Sequence, residues 1–262
     1  MATINGYYRF MYQRRNALRE ALLTFFYAFS SWPRLLLEVF LRRNMGERYF
    51  TLSGSIMLAL ILGLYPILKM TGLMFFARYS YYQQEPSITS FFGQYLSWYA
   101  FLAGFLIMAL QRNQEIKQLP GIFELARFSL SSGIIHPRFR TLQLNGQPVD
   151  TRTIETLLEP GFCLGVGTVL WMAGQSVGLL IVLCSIVYSL SYLAAYERAD
   201  HYIMDKMDEL IANREMGRSF IDCVDAEETS GFRVLGRRPA DPEARRELVD
   251  MFFEKQETAE AM

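Results

Sequence analysis

"GFCLGVGTVLWMAGQSVGLLIVLCSIVYSLSYLAAY", residues Gly161 to Tyr196, holds no charged side chain over its 36 positions. As one helix it would extend about 54 Å at about 1.5 Å per residue. A bilayer core is about 30 Å thick, so tilting a single span leaves a large mismatch. The natural place for a break is "MAGQSVG", where Gly174, Gln175, Ser176 and Gly178 form the most polar and flexible patch, with Trp171 beside them as an interface anchor. The stretch is therefore read as two tightly connected spans, 158–174 and 177–196. The upstream helix begins in "TIETLLEP", where Pro160 is tolerated at an early turn. A single crossing, or a partly re-entrant segment, is the alternative, and it would put everything after Tyr196 on the other side.

Two more uncharged runs lie upstream. Residues Tyr49–Leu68 are long enough for one span, with Pro66 near its end and Lys69 placed to snorkel to the far interface. Residues Ser87–Gln111 supply the next, after a short tyrosine-rich loop, "RYSYYQQEP", of the kind that sits at a membrane interface. The whole reads as an all-α membrane protein with about four transmembrane helices in two hairpins.

Charge distribution orients it. Formal net charge is zero, from 26 basic and 26 acidic residues, but residues 1–50 carry eight Arg against three Glu. Residues 197–262 carry ten Lys or Arg against seventeen Asp or Glu. Six basic residues lie between Arg112 and Arg152, whereas the loop between the first two spans has only Arg78. The positive-inside rule then puts the N-terminus, the 112–157 segment and, after two further crossings, the tail in the cytoplasm. The opening "MATINGYYRFMYQRR" lacks the apolar core and small-residue site of a cleavable signal.

Five segments follow: 1–48, 49–111, 112–157, 158–196 and 197–262. In the first, Arg alternates with aromatic and Leu clusters, the composition of interfacial amphipathic helices, with a bend at Trp32-Pro33. In the third, Asn145-Gly146 between Leu142, Leu144 and Val149 predicts a small cytoplasmic β-hairpin, with Pro148 confining one arm to an edge. In the tail, Tyr202, Ile203, Met207, Leu210 and Ile211 recur at helical spacing up to Gly217. A last helix starts at Pro242 behind an Asp241 N-cap and presents Leu248, Val249, Phe252 and Phe253 on one face.

Chemistry-bearing patterns are sparse. No phosphate-binding loop, dinucleotide fingerprint, zinc-protease or nucleophile-elbow motif occurs, and no catalytic residue, cofactor, metal or nucleic-acid contact is expected. Cys163, Cys184 and Cys223 form no ligand or CxxC spacing and read as small hydrophobes. Glu197, His201 and Asp205 share a helix face and could bind a metal or relay protons, although a solvated helix surface explains them as simply. Glu159 at the start of the third span is the one candidate for a functional intramembrane acid, and Gln175 the polar residue at the turn. Tyr188, Tyr192 and Tyr196 form a packed row. Gly93, Ser97, Ala100 and Gly104 form a small-residue stripe on one face of the second span, continued by Gly161 and Gly165 in the third, as helices that approach closely in lipid do.

Three fragments, "NMGERYF", "FSLSSG" and "EPGF", resemble small polytopic inner-membrane proteins of bacterial conjugative and mobilisable elements, which sit beside type IV secretion machinery. The resemblance covers about a third of the chain and implies a bacterial inner-membrane accessory of DNA transfer. The expected function is a non-enzymatic scaffold or anchor of a larger membrane complex. Its partners would be the lipid bilayer and proteins met through the N-terminal helices and the tail, and a homo-oligomer is compatible with the stripes. A small channel or transporter, and a membrane enzyme using a His/carboxylate cluster, are the alternatives.

Overall fold

A computed structural model describes residues 6–12, 17–70, 88–144, 146–225 and 228–254. The fold is mostly helical with almost no strand. Helices α1 (Gly6–Met11), α2 (Ala17–Leu41), α3 (Leu52–Met70) and α4 (Ile88–Gln118) come first. They are followed by the short α5 (Pro137–Arg140), a two-stranded sheet of β1 (Gln143–Leu144) and β2 (Gln147–Pro148), and α6 (Thr151–Thr153). Helices α7 (Glu159–Met172), α8 (Ser176–Phe220) and α9 (Pro242–Glu254) complete the order. Two compact units result, one of residues 23–194 and one of residues 1–22 with 195–262.

The long apolar stretch does break where its glycines and glutamine lie. Helix α7 ends at Met172, Gly174 takes φ +76, which an L side chain rarely adopts, and α8 opens at Ser176. The two helices run back to back. A Cβ on Gly178 would lie 2.2 Å from the Trp171 nitrogen, and one on Gly167 would lie 2.9 Å from the Val182 nitrogen. Further along, Ser185 donates to the Pro160 carbonyl, and Ser189 donates to the Thr156 carbonyl at 2.6 Å. The latter is four residues before Pro160, whose ring nitrogen has no proton to give it. Upstream, α7 is continuous with a π-helical turn, Ile154–Leu158, and with α6. The helical path from Thr151 to Met172 is thus about 33 Å long, beginning earlier than the sequence indicates.

The α3–α4 pair solves a similar problem. Pro66 deprives the Leu62 carbonyl of its helical donor, and Trp98 Nε1 of α4 supplies one at 3.0 Å while its ring stacks on Tyr65. Tyr99 donates to the Gly63 carbonyl at 3.1 Å. Among the described residues, two helices are long and apolar enough to cross a membrane, Leu52–Lys69 and Ser176–Phe220. The tyrosine-rich loop before α4 lies outside the described residues.

Helix α2 differs from expectation. No break occurs at Trp32-Pro33, and one helix passes through Pro33. Its C-terminal half is buried, with Leu36, Leu37 and Val39 in the core and Phe40 stacked on Phe101, so packing holds the turns that flank the proline. The segment after α2 is tied to residues 129–134 by paired backbone bonds, Arg43 with Ile134 and Gly46 with Ser131. The β-hairpin forms at the expected place, with Leu144 opposite Gln147 and Gly146 at φ +79.

In the other unit, Ala212, Met216 and Phe220 of α8 meet Phe232 and Val249, with Tyr7 and Tyr8 of α1 packed against them. Asp241 caps α9 by accepting from the Glu243 nitrogen at 3.2 Å. The side chains of Phe252 and Phe253 lie outside the described residues. Helix α8 runs past Gly217 to Phe220, because burial of Phe220 outweighs the modest helix cost of one glycine.

The close approach at the turn is testable. Gly178→Ala should cost about 1–3 kcal/mol, because backbone rather than a movable side chain meets the added methyl. Gly165→Ala should be neutral or stabilise by up to about 1 kcal/mol, since nothing lies within 4 Å of that position. Thermal unfolding in detergent reads both, and equal losses would remove the backbone-contact account.

Candidate functional site

Arg34, Glu38 and Arg42 recur at four-residue spacing and so share one face of α2 and its last turn. That face points inward. Glu38 and Arg42 are fully buried, and so is Glu159 of α7. Headgroup-facing arginines, the sequence expectation for this segment, are not what these residues are. The reason is that a buried carboxylate for each, Glu38 of the same helix for Arg34 and Glu159 of α7 for Arg42, and the Tyr192 ring for both, replace water around the two guanidiniums.

The centre is Arg42. Its Nε donates to Glu159 Oε2 at 3.0 Å and its Nη2 reaches the same oxygen. Its Nη1 donates to Ser132 Oγ at 2.8 Å and to the Tyr192 hydroxyl at 2.6 Å, and lies 3.1 Å from Glu155 Oε1. Glu155, in the π-helical turn, and Glu159, four residues on, share a helix face and both reach the one guanidinium. Tyr188 donates to Glu159 Oε2 at 2.5 Å, and Tyr192 donates to Glu38 Oε1 at 2.8 Å. Tyr49 donates to Glu38 Oε2. Arg34 Nε sits 3.3 Å from Glu38 Oε1 as an ion pair without hydrogen-bond alignment. Its guanidinium lies 4.9 Å from the Tyr192 ring centroid, and so does that of Arg42.

Electrostatics follow from this enclosure. Burial alone would lower the Arg42 guanidinium, but the tyrosines, Glu38 and Glu159 around it outweigh burial and raise it. Arg34 is raised in the same way, with burial opposed chiefly by Glu38. Burial pushes the Tyr49 hydroxyl well above its ordinary value, and the Glu38 carboxylate adds to the rise.

The residues singled out in the sequence fall in different places. Glu159 is at the centre of the network. Gln175 accepts from Ser97 Oγ at 2.5 Å, joining α4 to the α7–α8 turn. Gly104 has Phe40 at 3.8 Å, whereas Gly93 has nothing within 4 Å and Ala100 is exposed. Gly161 and Gly165 also face open space, so the close contact of α7 with α8 is not theirs. Gly167 and Gly178 make it, because they lie on the face that the turn at Gly174 brings together. Glu197 and His201 form an exposed pair at 3.5 Å, and Asp205 is exposed. His136 caps α5 by accepting from the Arg138 nitrogen at 3.3 Å. Among the described residues, no group of three or more His, Cys, Asp or Glu is placed to hold a metal ion.

Arg34, Glu38, Arg42 and Tyr49 were missed because charge inside a basic, aromatic segment looks like an interfacial face. The available signal was the i, i+4, i+8 spacing of Arg34, Glu38 and Arg42. Three fragments quoted from the sequence, "NMGERYF", "FSLSSG" and "EPGF", converge here: Gly46 and Arg48 bond to the backbone of Ser131 and Ser129, Ser132 meets Arg42, and "EPGF" begins with Glu159. Comparison with protein-family models, characterised proteins and solved structures gave no match.

Two outcomes test the site. Arg42→Ala should cost about 3–5 kcal/mol, because it leaves buried carboxylates uncompensated. Arg42→Lys should recover little of that, since an ammonium cannot present the same planar set of donors. Denaturation in detergent distinguishes this from a surface pair, whose loss costs about 0–1 kcal/mol. Tyr49 gives a pH test. Its folded hydroxyl is raised above the ordinary 10.0, so the folded state holds a proton that the unfolded state releases. Stability should therefore be intact below pH 10 and fall as pH climbs beyond it. Tyrosinate absorbance should show the Tyr49 component, assigned with Tyr49→Phe, ionising only as the protein unfolds.

Proposed function

We propose that the chain is a non-enzymatic, multi-pass membrane scaffold or anchor subunit of a larger complex, crossing the membrane four times with both termini in the cytoplasm. The carrying observation is the enclosure of the Arg42 network. Its donors and acceptors are turned on one another and shut away from solvent, which suits a fastening between α2, α7 and α8 better than a surface that receives substrate. The apolar residues left outside support the membrane part of the reading: Leu60, Ile61 and Leu64 on α3, Val169 and Met172 on α7, and Leu183 and Ile186 on α8 are all exposed. The unit of residues 1–22 with 195–262 has its own small core, and its tail is rich in charged residues, as that of a cytoplasmic docking module would be. A bacterial inner membrane, and a place beside a conjugative type IV secretion apparatus, are the narrower form of the proposal and rest on the three fragments.

Purification in mild detergent should recover stoichiometric partners that are lost when residues 197–262 are removed. Tag accessibility should place Met1 and Met262 inside and the Gln175 turn outside. A partner-free monomer, or Met262 exposed outside with Met1 inside, would overturn the reading.

A small channel or transporter is the second reading, and the polar contact of Ser97 with Gln175 together with buried Glu159 favours it. Liposome flux that disappears on changing Glu159 and Gln175 would select it over the scaffold.

A further inference from the structure

Helix α2 does not lie flush on the bundle along its whole length. Leu36 is buried, but Phe29 and Phe25, two and three turns earlier, are 59% and 71% exposed. Here a crevice of about 360 Å³ opens between α2 and its neighbours. One wall is a single face of α2, carrying Phe25, Phe29, Trp32 and Leu36 at helical spacing. The other wall is Leu58 and Leu62 of α3 with Leu180 and Cys184 of α8. Both walls belong to the unit of residues 23–194. Among the described residues, no charged side chain lines the crevice.

What fits this space follows from its lining, its width and its depth. Water needs several polar partners to stay in a cavity, and these walls are almost wholly apolar. The α2 wall from Phe25 to Leu36 is about 16 Å long, so the volume leaves a channel about 5 Å across, whereas a helix with its side chains is about 10–12 Å wide. One hydrocarbon chain enters such a channel, and a helix of a partner or of a second copy does not. Leu58 and Leu62 lie on either side of the middle of the Leu52–Lys69 span, a depth at which the surrounding medium is hydrocarbon. The walls continue outward onto Ile61 and Leu183, which are exposed. We propose that the crevice holds one acyl chain of a bilayer phospholipid, kept there by dispersion contacts that an empty crevice would forgo. This rests on the membrane-spanning reading above and adds a defined lipid site to it.

The full-length protein in vesicles containing a phospholipid with a photoreactive acyl chain should be labelled at Ile107 and Val169, which are exposed on α4 and α7. It should also be labelled inside the crevice, at Phe29 and Cys184. Ala28→Trp sets an indole into the crevice from the α2 wall, and should abolish crevice labelling while leaving Ile107 and Val169 unchanged. Leu180→Trp fills the same space from the opposite wall and should do likewise. Wild type purified in mild detergent should retain a single phospholipid, read by native mass spectrometry, and both variants should lose it. Labelling at Ile107 and Val169 without labelling in the crevice would overturn the lipid site and leave the membrane reading standing. Labelling at neither place would overturn both. The site would also be overturned by crevice labelling or lipid retention that survives in both variants, by a wild type that retains no phospholipid, or by crosslinks joining Phe29 of two copies of the chain.

Discussion

The buried guanidinium of Arg42 is the constraint to which the rest of the larger unit answers. A cation removed from water must be met on all sides, and the partners come from separated parts of the chain: Glu159 from the start of α7, Tyr192 from α8, Ser132 from the loop after α4. Each partner brings its element with it. The end of α2, the π turn and the open end of the α7–α8 hairpin are therefore fixed in register by one side chain, and the backbone pairing of residues 43–48 with 129–134 keeps Ser132 within reach. An apolar contact of the same size would tolerate sliding by a fraction of a turn. Directional donors do not.

Proline shapes the same helices by subtraction. Pro66 and Pro160 each remove a donor from a carbonyl four residues earlier, and in both places a side chain from the adjoining helix replaces it: Trp98 at Leu62 and Ser189 at Thr156. In an apolar surrounding, a carbonyl without a donor is expensive, so each proline ties its helix to one neighbour. Gly167 and Gly178 complete the effect by letting the α7 and α8 backbones come close enough for the serine hydroxyls to reach across.

The smaller unit is organised around one small hydrophobic cluster. Its core is a cluster of five residues from α8, the loop after it and α9, with two tyrosines of α1 laid against it. Tyr12 extends that seam, its ring 5.6 Å from Phe232 and its hydroxyl donating to the Arg233 carbonyl. Burial, and then Asp208, Asp205 and Glu209, push the Tyr8 hydroxyl up, so this seam keeps its tyrosine neutral beside an acidic stretch of α8.

What the sequence by itself determined was local. Helix-length apolar runs, the break at Gly174, the Asn145-Gly146 hairpin and the Asp241-Pro242 helix start each rest on neighbours in the chain, where hydrophobic periodicity and backbone stereochemistry act directly. Glu159 and Gln175 were visible for the same reason, as polar residues beside apolar runs. The inward turn of Arg34, Glu38 and Arg42, the passage of α2 through Pro33, the π turn and the choice of Gly167 and Gly178 over Gly161 and Gly165 were decided only by tertiary structure. Whether a charged residue faces headgroups or a core depends on which partners lie opposite, and those partners sit 117 and 150 residues away along the chain. A period of 3.6 residues identifies a helix face but carries no information on what that face will meet.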